Sequence, residues 1–330
     1  DRVGIRDVTL VEEQTTPDGN FPTCPYPNPE IREALERGLA LCETVRPDLL
    51  LATDPDADRV GVAVLHNGEY HLISGNEMGI LLLDYVCRMR LSHGEDLSRA
   101  VAVTTIVSTA MADALAEEYG FQLRRTLTGF KYIGEQIGML EAAGAPERFI
   151  FGFEESYGYL SGSHVRDKDA VNASMLICQM ARDWKARGVD LVEALAALYR
   201  KHGYHKNATI SLEYPGAAGA EKMAGIMCGL SENAPAEVAG LRMLKCVDYQ
   251  QGVAMPCVGS TGLPDAPDAP QTLPAAGVFE MQLEGGSKLI VRPSGTEPKI
   301  KAYLFATAAD NDAAQELLAR LNTAAREILA

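Results

Sequence analysis

The chain has 330 residues, 47% of them hydrophobic, and a formal net charge of −15. That length supports two or three cored domains, and the acidity argues against nucleic acid as a partner. No apolar run approaches the roughly 18–20 residues of a membrane span, Asp1-Arg2 is a poor secretory start, and the seven cysteines are scattered without a Cys-x-x-Cys pair, so a cytoplasmic chain with no membrane partner is expected.

Asn28-Pro29-Glu30 has the composition of a helix start, and the spacing of Ile31, Leu35, Leu39 and Cys42 carries that helix to about Val45. A strand over 48–53, an acidic loop and a strand over 60–65 follow. Asn67-Gly68 is a hairpin signal leading into a strand over 70–74, and a helix runs from Asn76 to about Arg90. The pattern then restarts: strand 100–106, helix 109–119, strand 121–125, helix 131–142, strand 148–153. Alternation of this kind implies an α/β layer around a mostly parallel sheet. Helices over 169–187 and 191–201 lead to a hinge near His202-Gly203. The last third changes character: strand 206–212, a helix within 214–230, strand 241–249, and a long Pro- and Gly-rich connection over 250–277. A hairpin over 278–291, a strand over 300–305 and an amphipathic helix over 312–329 close the chain. The fold class expected is α/β, with two layered domains built on mixed sheets (residues 1–74, the first one partial, and 75–202) and a smaller α+β lid over 203–330.

Three loops carry the chemistry. Asp54-Pro55-Asp56-Ala57-Asp58-Arg59 places three carboxylates at alternate positions between two apolar strands. Crowded like charges resist ionising together, and a hard divalent cation relieves that cost. An EF-hand needs Gly at the sixth position and Glu at the twelfth, where this chain has Arg59 and Leu65. A haloacid-dehalogenase-like phosphatase, with Asp54 as nucleophile, fits Ala57 and Asp58 poorly. A solvated acidic turn and a metal loop within a larger phosphosugar site stay open, and the rest of the chain decides between them.

Gly152-Phe153-Glu154-Glu155-Ser156-Tyr157-Gly158 ends a strand, where ligand groups collect in parallel sheets. A carboxylate beside a hydroxyl suits sugar hydroxyls, which both donate and accept. Arg292-Pro293-Ser294-Gly295-Thr296-Glu297-Pro298-Lys299 combines two cations, two hydroxyls and a Gly that admits backbone amides, the make-up of a phosphate cradle. Thr128-Gly129-Phe130-Lys131 and Arg166-Asp167-Lys168-Asp169 add cations at helix starts.

Taken in this order, the three loops resemble those of the α-D-phosphohexomutase superfamily, and Phe151–Gly158 is most similar to its phosphoglucomutase branch. The resemblance covers essentially the whole chain and implies parts of a four-domain enzyme. The family's phosphoserine loop, of Thr-x-Ser-His-Asn-Pro type, is absent, since Ser92-His93 is followed by Gly94 and Ser163-His164 by Val165. The resemblance therefore implies a chain without the phosphoryl donor, a truncated remainder expected to be inactive alone and free to self-associate; the alternative is a non-catalytic phosphosugar-binding module.

Role by role, the resemblance implies that Asp54, Asp56 and Asp58 hold Mg²⁺ and that Arg59 stands beside the transferring phosphoryl group. Lys131 would be the general acid or base, and Glu154 and Ser156 the sugar contacts. Arg166 and Lys168 would be further phosphate contacts, while Arg292, Ser294, Gly295, Thr296 and Lys299 clamp the second phosphate of a small-molecule phosphosugar. The reaction implied is interconversion of glucose 1-phosphate and glucose 6-phosphate through a bisphosphate, with mannose and pentose phosphates as alternative substrates.

Overall fold

The computed structural model describes residues 4–251, 253–254, 257–258, 272–295 and 297–330. The chain forms two compact units. One gathers the described residues of Asp1–Ser108, Leu115–Ala197 and Cys257–Ala269; the other gathers those of Thr109–Ala114, Leu198–Pro256 and Pro270–Ala330.

The first unit opens with helix α1 (Arg32–Val45), which starts three residues later than its sequence suggests. Asn28 caps a local turn instead, its side chain accepting from the Glu30 N–H at 3.0 Å, and Glu30 is drawn away to Arg59. Strands β1 (Leu49–Thr53), β2 (Val60–His66) and β3 (Glu69–Ile73) make an antiparallel sheet in the order β1-β2-β3. Tight connections permit no other sense. Central β2 is buried through Val64, whereas β1 is only half-buried. Gly38 on α1 leaves room for Leu50, whose side chain lies 2.7 Å from where a Cβ would stand.

Helix α2 (Gly75–Ser92) begins with a capping box: the Glu77 N–H donates to Ser74 Oγ at 3.3 Å, and the Ser74 N–H donates to the Glu77 carboxylate at 3.0 Å. Next come β4 (Val101–Thr105), α3 (Met111–Tyr119), β5 (Gln122–Thr126), α4 (Phe130–Ala142), β6 (Phe149–Glu154), β7 (Gly158–Leu160), α5 (Ala170–Lys185) and α6 (Leu191–His202). β4 pairs in parallel with both β5 and β6, and β7 turns back antiparallel on β6. β7 escaped the sequence reading because it is three residues long and follows a tight turn. All of β4, β5 and β6 are buried, with Val101, Val103, Ile133, Ile137 and Phe149 forming one cluster between sheet and helix.

The chain leaves α6 through Gly203, at φ +90°, a backbone state that suits glycine. β8 (Tyr204–Glu213), α7 (Gly216–Glu232), β9 (Glu237–Val238) and β10 (Leu241–Asp248) follow. The connection expected over 250–277 holds short strands instead: β11 (Val253–Ala254), β12 (Cys257–Val258) and β13 (Thr272–Leu273). β12 belongs to the first unit and lies antiparallel to β5. Residues 252, 255–256 and 259–271 of that stretch lie outside the described residues. β14 (Phe279–Leu283), β15 (Lys288–Pro293), β16 (Lys299–Ala308) and α8 (Asn311–Leu329) complete the second unit. Its sheet runs β8-β16-β15-β14-β10-β9, and Leu317, Leu321, Ala325 and Leu329 of α8 pack into a core with Leu289, Val291, Ala302 and Leu304. No helix among the described residues is long and apolar enough to cross a membrane.

Candidate functional site

The acidic loop joins β1 to β2 and is shaped by Asp54. Its Oδ1 accepts the N–H groups of Asp58 and Arg59 at 3.0 and 2.9 Å, and its carbonyl accepts the Ala57 N–H at 3.1 Å. Ala57 turns the chain at φ +55°. This winding brings one oxygen from each of Asp54, Asp56 and Asp58 within 4.8 Å of one another, the one such carboxylate group among the described residues. With oxygen ligands at roughly 2.1 Å, opposed ligands of an octahedral cation stand about 4 Å apart, so small movements of these oxygens suffice. Asp58 Oδ1 and Arg59 Nε are buried without a hydrogen bond. The two face each other at 3.7 Å as an ion pair, and the three-carboxylate donor set fits a hard divalent cation. Burial first, then the charges of Asp58 and Asp56, push the Asp54 carboxyl above its ordinary range, although the Arg59 N–H bond opposes this.

The acidic loop is sewn to the turn between β6 and β7. Arg59 bridges to Gly158 in antiparallel fashion, and the Val60 N–H donates to the Tyr157 carbonyl at 3.2 Å. Tyr157 sits at φ +64°. A third segment, preceding α5, closes the arrangement: the Ala170 N–H donates to the Ala57 carbonyl at 3.0 Å, and the Asp169 N–H to the Tyr159 carbonyl at 3.0 Å. Gly75 presses on the same turn, and a Cβ there would stand 1.9 Å from the Glu155 carbonyl oxygen. Sequence analysis named these three segments, and the first unit brings them together.

Glu154 is buried, with 4% of its surface exposed, and accepts the Gly129 N–H at 2.7 Å. Burial raises its carboxyl; the Gly129 bond and the charges of Lys168 and Arg59 pull the other way. The adjacent Thr128 hydroxyl is buried without a partner, and Ser156 is half-buried on the turn. Lys168 Nζ lies 2.8 Å from Asp58 Oδ2 and 2.9 Å from Asp167 Oδ1. Burial opposes its charge, but those two bonds outweigh it and hold the ammonium above the ordinary lysine value. Arg59 is itself anchored, Nη1 donating to Glu30 Oε1 at 2.9 Å.

The other expected residues make local contacts of their own. Lys131 is exposed in the first turn of α4, its ammonium over the neighbouring Tyr132 ring at 4.8 Å. Arg166 is exposed and committed to Glu141 of α4 and to the carbonyls of Ser163 and Val165. In the second unit, Arg292 is the penultimate residue of β15 and Lys299 begins β16, with Ser294 and Gly295 in the turn between. The Ser294 N–H donates to the Lys299 carbonyl at 2.8 Å, and Lys299 Nζ lies 3.2 Å from Glu297 and 3.5 Å from Glu213. Thr296 lies outside the described residues.

Sequence reasoning passed over Glu155. It is half-buried, and its carboxylate accepts from Thr105 Oγ1 at 3.3 Å. Burial first, then the charge of Glu154, pushes it up to about 8 from an ordinary 4.5. The folded protein thus keeps a proton that the unfolded chain releases. The stability this brings is complete below about pH 4.5 and lost as pH rises through about 8. Glu155→Gln is expected to flatten the fall in Tm across that window, measured by thermal denaturation in steps of pH; an unchanged slope would place the proton elsewhere. No motif rule marks Glu155, because its neighbours in space come from β4.

A cavity of about 2170 Å³ runs between residues 4–24, α1, β1 and α5, and reaches the acidic loop only at Thr53–Pro55. Of the three aspartates, Asp54 alone lines it.

Comparison with known proteins agrees with this geometry. A family model described as "Phosphoglucomutase/phosphomannomutase, alpha/beta/alpha domain III" matches residues 74–202, and its domain II counterpart matches residues 1–68. A Staphylococcus epidermidis phosphoglucomutase is 35% identical over 297 residues, 89% of this chain and 52% of the relative. A Haemophilus influenzae protein named "Probable phosphomannomutase" is 32% identical over 330 residues, 99% of this chain and 60% of its own. The chain thus spans little more than half the length of these relatives. Among solved structures, a Burkholderia thailandensis phosphoglucomutase/phosphomannomutase family protein shares the fold with a TM-score of 0.60 at 17% identity, over 94% of this chain and 52% of that one. The open form of a Paramecium phosphoglucomutase gives 0.59 at 19%, over 86% and 45%. With the fold, the ordered loops and both family models in agreement, the chain belongs to the α-D-phosphohexomutase superfamily.

Proposed function

We propose that this chain supplies the metal-binding, sugar-binding and distal phosphate-binding parts of a phosphoglucomutase, which interconverts glucose 1-phosphate and glucose 6-phosphate through a bound 1,6-bisphosphate. The observation that supports it most is the seam between the acidic loop and the Glu154–Gly158 turn, made by the Arg59–Gly158 bridge and the Val60-to-Tyr157 bond. It sets three carboxylates and a buried acceptor into one rigid assembly, as phosphoryl transfer to a sugar hydroxyl requires.

Asp54, Asp56 and Asp58 hold the Mg²⁺ in this reading. When bound, that ion supplies neutralisation of charge on a transferring phosphoryl group. Arg59, fixed by Glu30 and with Nε 3.7 Å from Asp58 Oδ1 and 3.9 Å from Asp54 Oδ2, brings a cation to the same charge. Glu154 accepts from sugar hydroxyls, Ser156 both donates and accepts, and the unpartnered Thr128 hydroxyl is a further contact. Lys131 serves as general acid or base, with Arg166 and Lys168 as further cations of the cleft. Residues 1–74, 75–202 and 203–330 act as separate domains, the last presenting Arg292, Ser294, Gly295, Thr296 and Lys299 to the phosphate that is not reacting. Glucose is the sugar proposed; mannose phosphate is the second reading, favoured by the relative named as a phosphomannomutase that matches 99% of the chain.

Calorimetric titration of the 330-residue chain tests this. Glucose 1,6-bisphosphate is expected to bind in a Mg²⁺-dependent way, more tightly than mannose 1,6-bisphosphate. Turnover of glucose 1-phosphate stays at background, because the sequence contains no Ser-His-Asn-Pro donor loop. Rapid turnover, or bisphosphate binding indifferent to Mg²⁺, overturns the proposal.

A further inference from the structure

Lys168 is placed with unusual care for a surface-type residue. Its side chain is 12% exposed. Its backbone is clamped by the Asp169-to-Tyr159 and Ala170-to-Ala57 bonds, one to β7 and one to the acidic loop. The methylene stem lies across Gly158, where a Cβ would meet Lys168 Cδ at 2.1 Å, and the ammonium lies 5.5 Å from the Phe130 ring centre. The head then divides its donors between Asp58 Oδ2 and Asp167 Oδ1, at 2.8 and 2.9 Å. Of the two Asp58 oxygens, one is held by Lys168, and the other, Oδ1, accepts no hydrogen bond and lies 3.7 Å from Arg59 Nε, a looser ion pair that a cation can displace.

We infer that Lys168 is a positioning residue of the metal centre, holding Asp58 by Oδ2 so that Oδ1 is left to the cation. This rests on the reading of Asp54, Asp56 and Asp58 as metal ligands, and it assigns Lys168 a duty different from contact with a substrate phosphate. A carboxylate free to rotate about its last bond loses rotational freedom on binding a metal; one already fixed by a charge-assisted bond does not. Partners of this outer kind are worth about ten- to a hundredfold in metal affinity. The ammonium also carries a positive charge close to the cation, and the proposal is that orientation outweighs that repulsion. Gly158 belongs to the same device, since any larger residue displaces the lysine stem.

The test uses the 330-residue chain with metal and no phosphosugar, a condition that a purely substrate-binding lysine leaves unaffected. Mn²⁺ binding is followed by electron paramagnetic resonance, and Mg²⁺ by competition against it. Lys168→Met is expected to weaken metal binding about ten- to a hundredfold, and Lys168→Arg, which keeps a donor on Asp58, to recover part of the loss. Lys168→Arg also keeps the test alive if the methionine variant fails to fold, which thermal denaturation reports. Unchanged or tighter binding in Lys168→Met overturns the inference alone, provided that Asp56→Asn still weakens binding. If the wild-type chain binds no metal, or Asp56→Asn changes nothing, the metal reading falls and this inference falls with it.

Discussion

Asp56→Asn is expected to weaken Mg²⁺ binding to the chain by about a hundredfold, or roughly 3 kcal/mol, since each tenfold step is about 1.4 kcal/mol. Asp56 is the exposed member of the carboxylate cluster, whereas the loop's internal bonds run through Asp54. Losing the Asp56 charge therefore removes a ligand and leaves the winding intact. Affinity in such sites tracks the number of charged ligands. Asp54→Asn is a different experiment, because the same oxygen that could serve a cation also accepts two backbone N–H groups. Calorimetry with Mg²⁺ together with thermal denaturation separates the two: Asp56→Asn loses affinity at nearly constant Tm, and Asp54→Asn loses both. Wild-type affinity in Asp56→Asn would move the metal to other residues.

Glu154 gives the second large effect. Glu154→Ala is expected to lower affinity for glucose 1,6-bisphosphate thirty- to a hundredfold, about 2–3 kcal/mol, the range for hydrogen bonds to a charged group. It also strands the Gly129 N–H and removes a negative charge that faces Lys168 and Arg59, so Tm falls too. Glu154→Gln tells binding from folding. Its amide oxygen can keep the Gly129 bond, and its neutral head is a poorer acceptor for sugar hydroxyls. The glutamine variant is therefore expected to melt close to wild type and yet bind the bisphosphate about tenfold more weakly. A glutamine variant that binds normally would remove Glu154 from the sugar contacts.

Much of this was legible because strands, turns and charges here are local features. The acidic loop could be read from alternate aspartates between two apolar runs, and its antiparallel flanks follow from a connection too short for any other geometry. The restart of alternating helices and strands after residue 100 announced the parallel core, and β4, β5 and β6 lie within a residue or two of their expected bounds. What stayed hidden was non-local. Glu30 read as a helix-capping acid, but its partner is Arg59, 29 residues on. Lys168 read as one of a mixed group of surface charges; nothing in the one-dimensional pattern ties it to Asp58, 110 positions before it. Arg166, two residues away and of the same charge, turns instead to Glu141 and loop carbonyls, so the spacing alone could not rank them. Glu155 was masked by its neighbour Glu154, since sequence gives no sign that Thr105 of β4 meets its carboxylate.

Ala57 and Tyr157 hold the acidic loop and the turn between β6 and β7 in left-handed backbone, a state that costs a non-glycine residue on the order of 1–3 kcal/mol. Both are sites where glycine relaxes the main chain, and both hand a carbonyl to a neighbouring segment. Selection for heat resistance alone would find these positions attractive, and would be choosing between a hardier molecule and a preset arrangement of carboxylates. Thermostable variants of this protein are thus best sought far from residues 57 and 157, in the helices of the outer layers.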